Sequence, residues 1–158
     1  MLLTFSDLVS ESLSSHARKI KSNDQDEIIT FYIDNNNGWQ SLGRYYSSSN
    51  GWQINNNSIS ISKIAHSSND IGEIRSIFSR LDEIIDLDFE EMSHPNGSEI
   101  DIYSVDYSSS FGKNVVGQVI SQETIHGAWF DVIWKDSNGK LETTSLDINI
   151  IIHELGHA

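Results

Sequence analysis

The stretch Asp70-Ile71-Gly72-Glu73-Ile74-Arg75-Ser76-Ile77-Phe78-Ser79-Arg80-Leu81-Asp82-Glu83-Ile84-Ile85, followed directly by Asp86 and Leu87-Asp88-Phe89-Glu90-Glu91-Met92, decides the fold class. Ile71, Ile74, Ile77, Phe78, Leu81, Ile84 and Ile85 recur at i, i+3, i+4 and i+7, which lines one side of an α-helix with apolar groups. Asp70 with Glu73 three residues later forms a capping-box pattern that predicts the helix start. The pattern stops at Asp86. Residues 87–92 then alternate apolar and acidic side chains, the signature of a half-buried strand. A helix feeding straight into a strand calls for a sheet with helices packed on it.

Working outward supplies the rest of that sheet. Upstream, Ile28-Ile29-Thr30-Phe31-Tyr32-Ile33 is rich in β-branched and aromatic residues and predicts the first strand. Residues 34–58 are polar and hold Asn-Gly-Trp-Gln twice, at 37–40 and 50–53, which predicts two turns or a decorated surface loop. Downstream, Pro95-Asn96-Gly97 marks a turn before a strand at Ile100–Val105. Val115–Ile120 predicts a short strand, and Ala128–Trp134 a longer one inside the sheet, since both its faces are apolar. Asp136–Gly139 turns the chain towards a final helix. The expectation is an α/β (α+β) domain: a twisted mixed, mostly parallel sheet of about five strands, a long backing helix and a C-terminal helix. Residues 1–27 read as an N-terminal arm or short helix, and 28–158 as one domain, which the length of 158 residues accommodates.

The formal charge is −13, from 23 acidic and 10 basic residues, so nucleic acid and anionic membrane are excluded as expected partners. No cysteine is present, which removes disulfides and thiolate metal sites. The first residues show no basic segment and apolar run of signal-peptide type. No stretch reaches the roughly 20 apolar residues that span a bilayer. A soluble monomer is expected.

The chemistry lies in the last residues. Thr144 with Asp147 is a second capping-box pattern, placing a helix start near 145. In that helix His153 and His157 are four apart, so both imidazoles project from one face. Two nitrogens held by one rigid element suit tetrahedral Zn2+, with positions left for a further ligand and water. Glu154, beside the first histidine, is the candidate general base. Ile148, Ile151, Ile152 and Leu155 are expected on the opposite, buried face.

Ile151-Ile152-His153-Glu154-Leu155-Gly156-His157-Ala158 resembles the active-site helix of metzincin zinc metallopeptidases, above all their serralysin-like and matrixin-like branch. Residues 28–33, 71–91 and 100–105 are similar to that family's first strand, long helix with second strand, and third strand. Residues 115–120 fall where the family has its antiparallel edge strand, along which a peptide aligns. The resemblance implies a metzincin-like N-terminal subdomain and a zinc-dependent endopeptidase acting on peptide or protein substrates. His153 and His157 would be metal ligands, Glu154 the catalytic base, Zn2+ the cofactor and Ca2+ a second candidate ion without assignable ligands. An extracellular location follows from the same resemblance. The family pattern continues H-E-x-x-H-x-x-G-x-x-H with a later Met-turn. Here the sequence ends at Ala158, so a truncated form of weak or no activity is expected. The alternatives are a non-catalytic acidic module or decayed remnant with an incidental H-E-x-x-H, and a gluzincin-type peptidase with a downstream Glu as third ligand.

Other residues read more plainly. His16, His66, His94 and His126 are expected in loops or at the surface, and Trp39, Trp52, Trp129 and Trp134 as core or loop anchors. Asp101, Asp106, Asp131, Asp136 and Asp147 could serve a structural Ca2+, yet match no EF-hand or nonapeptide repeat.

Overall fold

A computed structural model of the chain describes residues 28–48, 51–85, 87–124, 127–136 and 145–158, with side chains described for these except 44–48, 51–57, 84–85, 123–124, 127–128 and 145–147. The predicted arm at 1–27 lies outside the described residues. Among the described residues, seven strands and two helices follow one another in this order: β1 (Ile28–Asp34), β2 (Gly38–Ser48), β3 (Gly51–Lys63), α1 (Ser68–Ile85), β4 (Asp88–Glu91), β5 (Ile100–Ser108), β6 (Gly117–Thr124), β7 (Gly127–Lys135) and α2 (Ser145–Leu155). This is the expected mixed α/β architecture, with a larger sheet than the sequence announced.

β5 is the organising strand. Its first half is flanked by β1 and β7, both parallel to it, with Ile102 opposite Ile33 on one side and Val132 on the other. β4 extends the sheet beyond β1 in parallel, and β6 closes the opposite side antiparallel to β7. The last residues of β5 outrun β1, and there β3 takes over as antiparallel neighbour, bringing β2 with it. The sheet therefore has three parallel and three antiparallel pairings among the described residues, rather than a mostly parallel set.

The β2–β3 pair is the main departure from expectation. The polar region 34–58, anticipated as turns or a loop, forms two long strands instead. Gly38 still turns the chain, with φ of 122°, a conformation open to glycine and strained for other residues. The strands hold because a few inward side chains suffice: Leu42, Ile59 and Ile61 bury against Tyr103, Val105, Ile120 and Ile133 on one face of the sheet. On the outer face, the expectation of an anchored Trp39 fails. It is 72% exposed and leans on Tyr107, ring centroids 5.6 Å apart.

The other face carries both helices. Ile29, Phe31 and Ile33 of β1, Ile100 and Ile102 of β5, and Val132 and Trp134 of β7 meet Ile74, Ile77 and Phe78 of α1 and Ile150, Ile151 and Leu155 of α2. Phe31 stacks on Phe78 at 3.9 Å, and Phe78 meets Phe89 at 5.1 Å. Each such side chain taken out of water contributes on the order of 2 kcal/mol. β7 is indeed inside the sheet, with Val132, Ile133 and Trp134 fully buried.

The start of α1 differs from the sequence reading by one turn. Ser67, not Asp70, is the N-cap. The Ser67 hydroxyl accepts from the Asp70 amide at 3.1 Å, while the Asp70 carboxylate accepts from the Ser67 amide at 2.9 Å. Asp70 thus fills the third position of a reciprocal box. No helix among the described residues is long and apolar enough to cross a membrane.

Candidate metal centre

α2 begins at Ser145 as expected; the Thr144 cap lies outside the described residues. Regular helix ends at Leu155, and the last turn then tightens. The Gly156 amide still donates to the Ile152 carbonyl at 3.0 Å, whereas the His157 amide donates to Glu154, three residues back, at 2.9 Å. His157 therefore sits in the closing turn rather than within the helix, yet it stays on the His153 face. The two Nε2 atoms are 3.2 Å apart, and the rings meet edge to face at 4.7 Å. Both histidines are exposed.

That separation can be tested against zinc. Two imidazole nitrogens each about 2.05 Å from a tetrahedral ion lie about 3.3 Å apart. The histidine pair stands at this separation, which is equally that of a direct imidazole–imidazole hydrogen bond. His153 and His157 thus fit as two ligands. Among the described residues, no group of three or more His, Asp or Glu is arranged to hold a metal, so no third protein ligand joins them there.

The buried side of α2 differs from expectation at one apolar position. Ile150, Ile151 and Leu155 are buried and Ile148 is partly so, whereas Ile152 is turned outward at 41% exposure beside His153. Glu154 takes the inner place instead, at 8% exposure. Burial raises its pKa, and the charges of His153 and His157 partly offset this. Its side chain lies on Gly117, the first residue of β6, whose register partner is Trp134. β6 has no strand partner other than β7 among the described residues, so its outer edge is unpaired. Glu154 is thus turned inward onto the first residue of β6, while the two imidazoles beside it in sequence face outward.

Two features escaped the sequence reading. His66 lies in the loop between β3 and α1 as expected, yet it is only 6% exposed and its ring stacks 6.0 Å from Trp134. Burial lowers its pKa and favours the neutral form. Asp101 and Asp131 are buried neighbours in register on β5 and β7. Ser98 bonds to Asp101, and the Gln122 amide donates to Asp131 at 3.1 Å. Asp101 is pushed up to about 7, chiefly by burial, with the charges of Asp131 and Asp34 adding to it. Burial raises Asp131 to about 6. His94 is exposed as expected, and His16 and His126 lie outside the described residues.

Comparison with protein-family models, with curated proteins and with solved structures gave no match.

Proposed function

We propose that this chain carries the zinc-binding and proton-transferring part of a metzincin-like metalloendopeptidase domain. The observation that carries the reading is the 3.2 Å spacing of the His153 and His157 Nε2 atoms, the bite of tetrahedral zinc, with Glu154 beside them. The strand arrangement supports it: the long helix α1 is packed on a sheet whose antiparallel edge strand, β6, starts under Glu154. Zn2+ bound by the two histidines would supply Lewis acidity towards a scissile carbonyl and lower the pKa of the attacking water.

The chain's own residues do the rest. Glu154 is held in a largely dry seat, where a carboxylate is a better proton acceptor than in water. It would take the proton of the attacking water and return it to the leaving amine. The unpaired edge of β6 offers backbone donors and acceptors to an extended peptide, which would align the substrate without regard to its side chains. Peptide or protein substrates and an extracellular setting belong to the same proposal.

The test is metal binding followed by hydrolysis. Titration with Zn2+ or Co2+ should give one equivalent bound, and His153→Ala or His157→Ala should abolish it. Glu154→Gln should retain the metal while lowering hydrolysis of an unstructured protein such as casein about 100-fold or more. Wild-type protein that takes up no metal, or hydrolysis indifferent to Glu154→Gln, would defeat the proposal.

A further inference from the structure

Gly117 is not glycine for the sake of its backbone. Positive φ angles occur at Gly38 and Gly97, and Gly117 is not among them, so the strand conformation itself would accept alanine. What it would not accept is the space. A Cβ at this position would stand 2.6 Å from Glu154 Oε1, 2.7 Å from its Cγ and 2.9 Å from its Cδ. Carbon and oxygen atoms in van der Waals contact need well over 3 Å, so the glutamate side chain fills the volume a side chain at 117 would take. By contrast, a Cβ at nearby Gly112 would meet only Val115 Cγ2, at an ordinary 3.6 Å.

The contact joins two parts of the chain that nothing else in the local sequence relates. Gly117 opens β6, and its register partner Trp134 belongs to the core that also contains Ile151 and Leu155 of α2. The floor beneath the carboxylate is therefore backed by the core.

We propose that Gly117 is a positioning residue: its missing side chain is the seat of the Glu154 carboxylate, which ties the general base to the first residue of the edge strand. This rests on the metallopeptidase reading given above. It adds a register to it. The base sits at one end of β6, so Gln118–Thr124 would all hold substrate residues on the same side of the scissile bond.

Gly117→Ala tests the seat. The displaced carboxylate should lower kcat by a factor approaching that of Glu154→Gln, while zinc stoichiometry, Tm and KM stay near wild type. The double variant G117A/E154Q should be no slower than E154Q alone, because one function is lost once. In amide NMR spectra, Glu154→Ala should move the Gly117 signal and leave Gly112 in place. Gly112→Ala serves as the control with normal activity. A raised KM with unchanged kcat would assign Gly117 to substrate pairing and overturn the proposal, as would multiplicative losses in the double variant or an unmoved Gly117 signal. If E154Q hydrolyses normally, the enzyme reading itself falls and takes this proposal with it. If E154Q is impaired and G117A is not, this proposal alone falls.

Discussion

At the scale of single residues, the proton inventory around Asp101 is informative. The Ser98 hydroxyl lies within hydrogen-bond reach of both the Pro95 carbonyl, at 2.8 Å, and the Asp101 carboxyl. It has one hydrogen to give. If Asp101 is protonated, its own O–H donates to Ser98, and Ser98 donates onward to Pro95. The raised pKa of about 7 makes the protonated acid the form present in weakly acidic solution. An aspartate in the unfolded chain ionises near 3.9. Between that value and about 7 the folded state holds a proton the unfolded state has released, so stability falls as pH rises through this window. Asn imitates the protonated acid. Asp101→Asn should therefore stabilise the protein at pH 8 by on the order of 2 kcal/mol and bring little gain at pH 4, measured by urea unfolding at both values.

Elements show where sequence logic is strong and where it thins. α1 and β7 are legible because seven apolar positions at helical spacing, or a run apolar on both faces, leave few other ways to bury that surface. The β2–β3 pair is not. Leu42, Ile59 and Ile61 are the buried apolar residues among its described side chains, too sparse a pattern to show a period of two amid Ser, Asn and Gln. Sequence alone does not place the cap of α1, because both Ser67 and Asp70 are good capping residues and only geometry decides which one faces the free amides. Ser67→Ala removes one half of the observed box and should cost about 1 kcal/mol, seen as a lower denaturation midpoint with unchanged m-value. Asp70→Asn should be milder, since an amide oxygen can still accept from the Ser67 amide.

For the molecule as a whole, the site divides along the same line. His153, Glu154 and His157 are local, and spacing alone places them together. Gly117 is 37 residues away from Glu154 (154 minus 117) and becomes its neighbour only through the antiparallel return of β6 onto β7. No motif could announce it. The same holds for His66, whose burial depends on β3 ending beside β5, where the Ile64 amide bonds to the Ser104 carbonyl at 2.9 Å. Periodicity speaks for faces, and topology decides which faces meet.

The unpaired edge of β6 also has a meaning for the protein in company with itself. Among the described residues β6 has no strand partner beyond β7, and an edge of that kind accepts another copy of the same strand as readily as a peptide. At neutral pH the formal charge of −13 keeps copies apart. That repulsion vanishes near the isoelectric point of 4.6, and it is screened over about 8 Å at physiological salt. Light scattering should therefore show reversible self-association near pH 4.6 that is absent at pH 8 in low salt, and a proline at Val119, which removes a ladder donor from β6, should suppress it. The edge that receives a partner strand is held open by charge carried elsewhere on the surface.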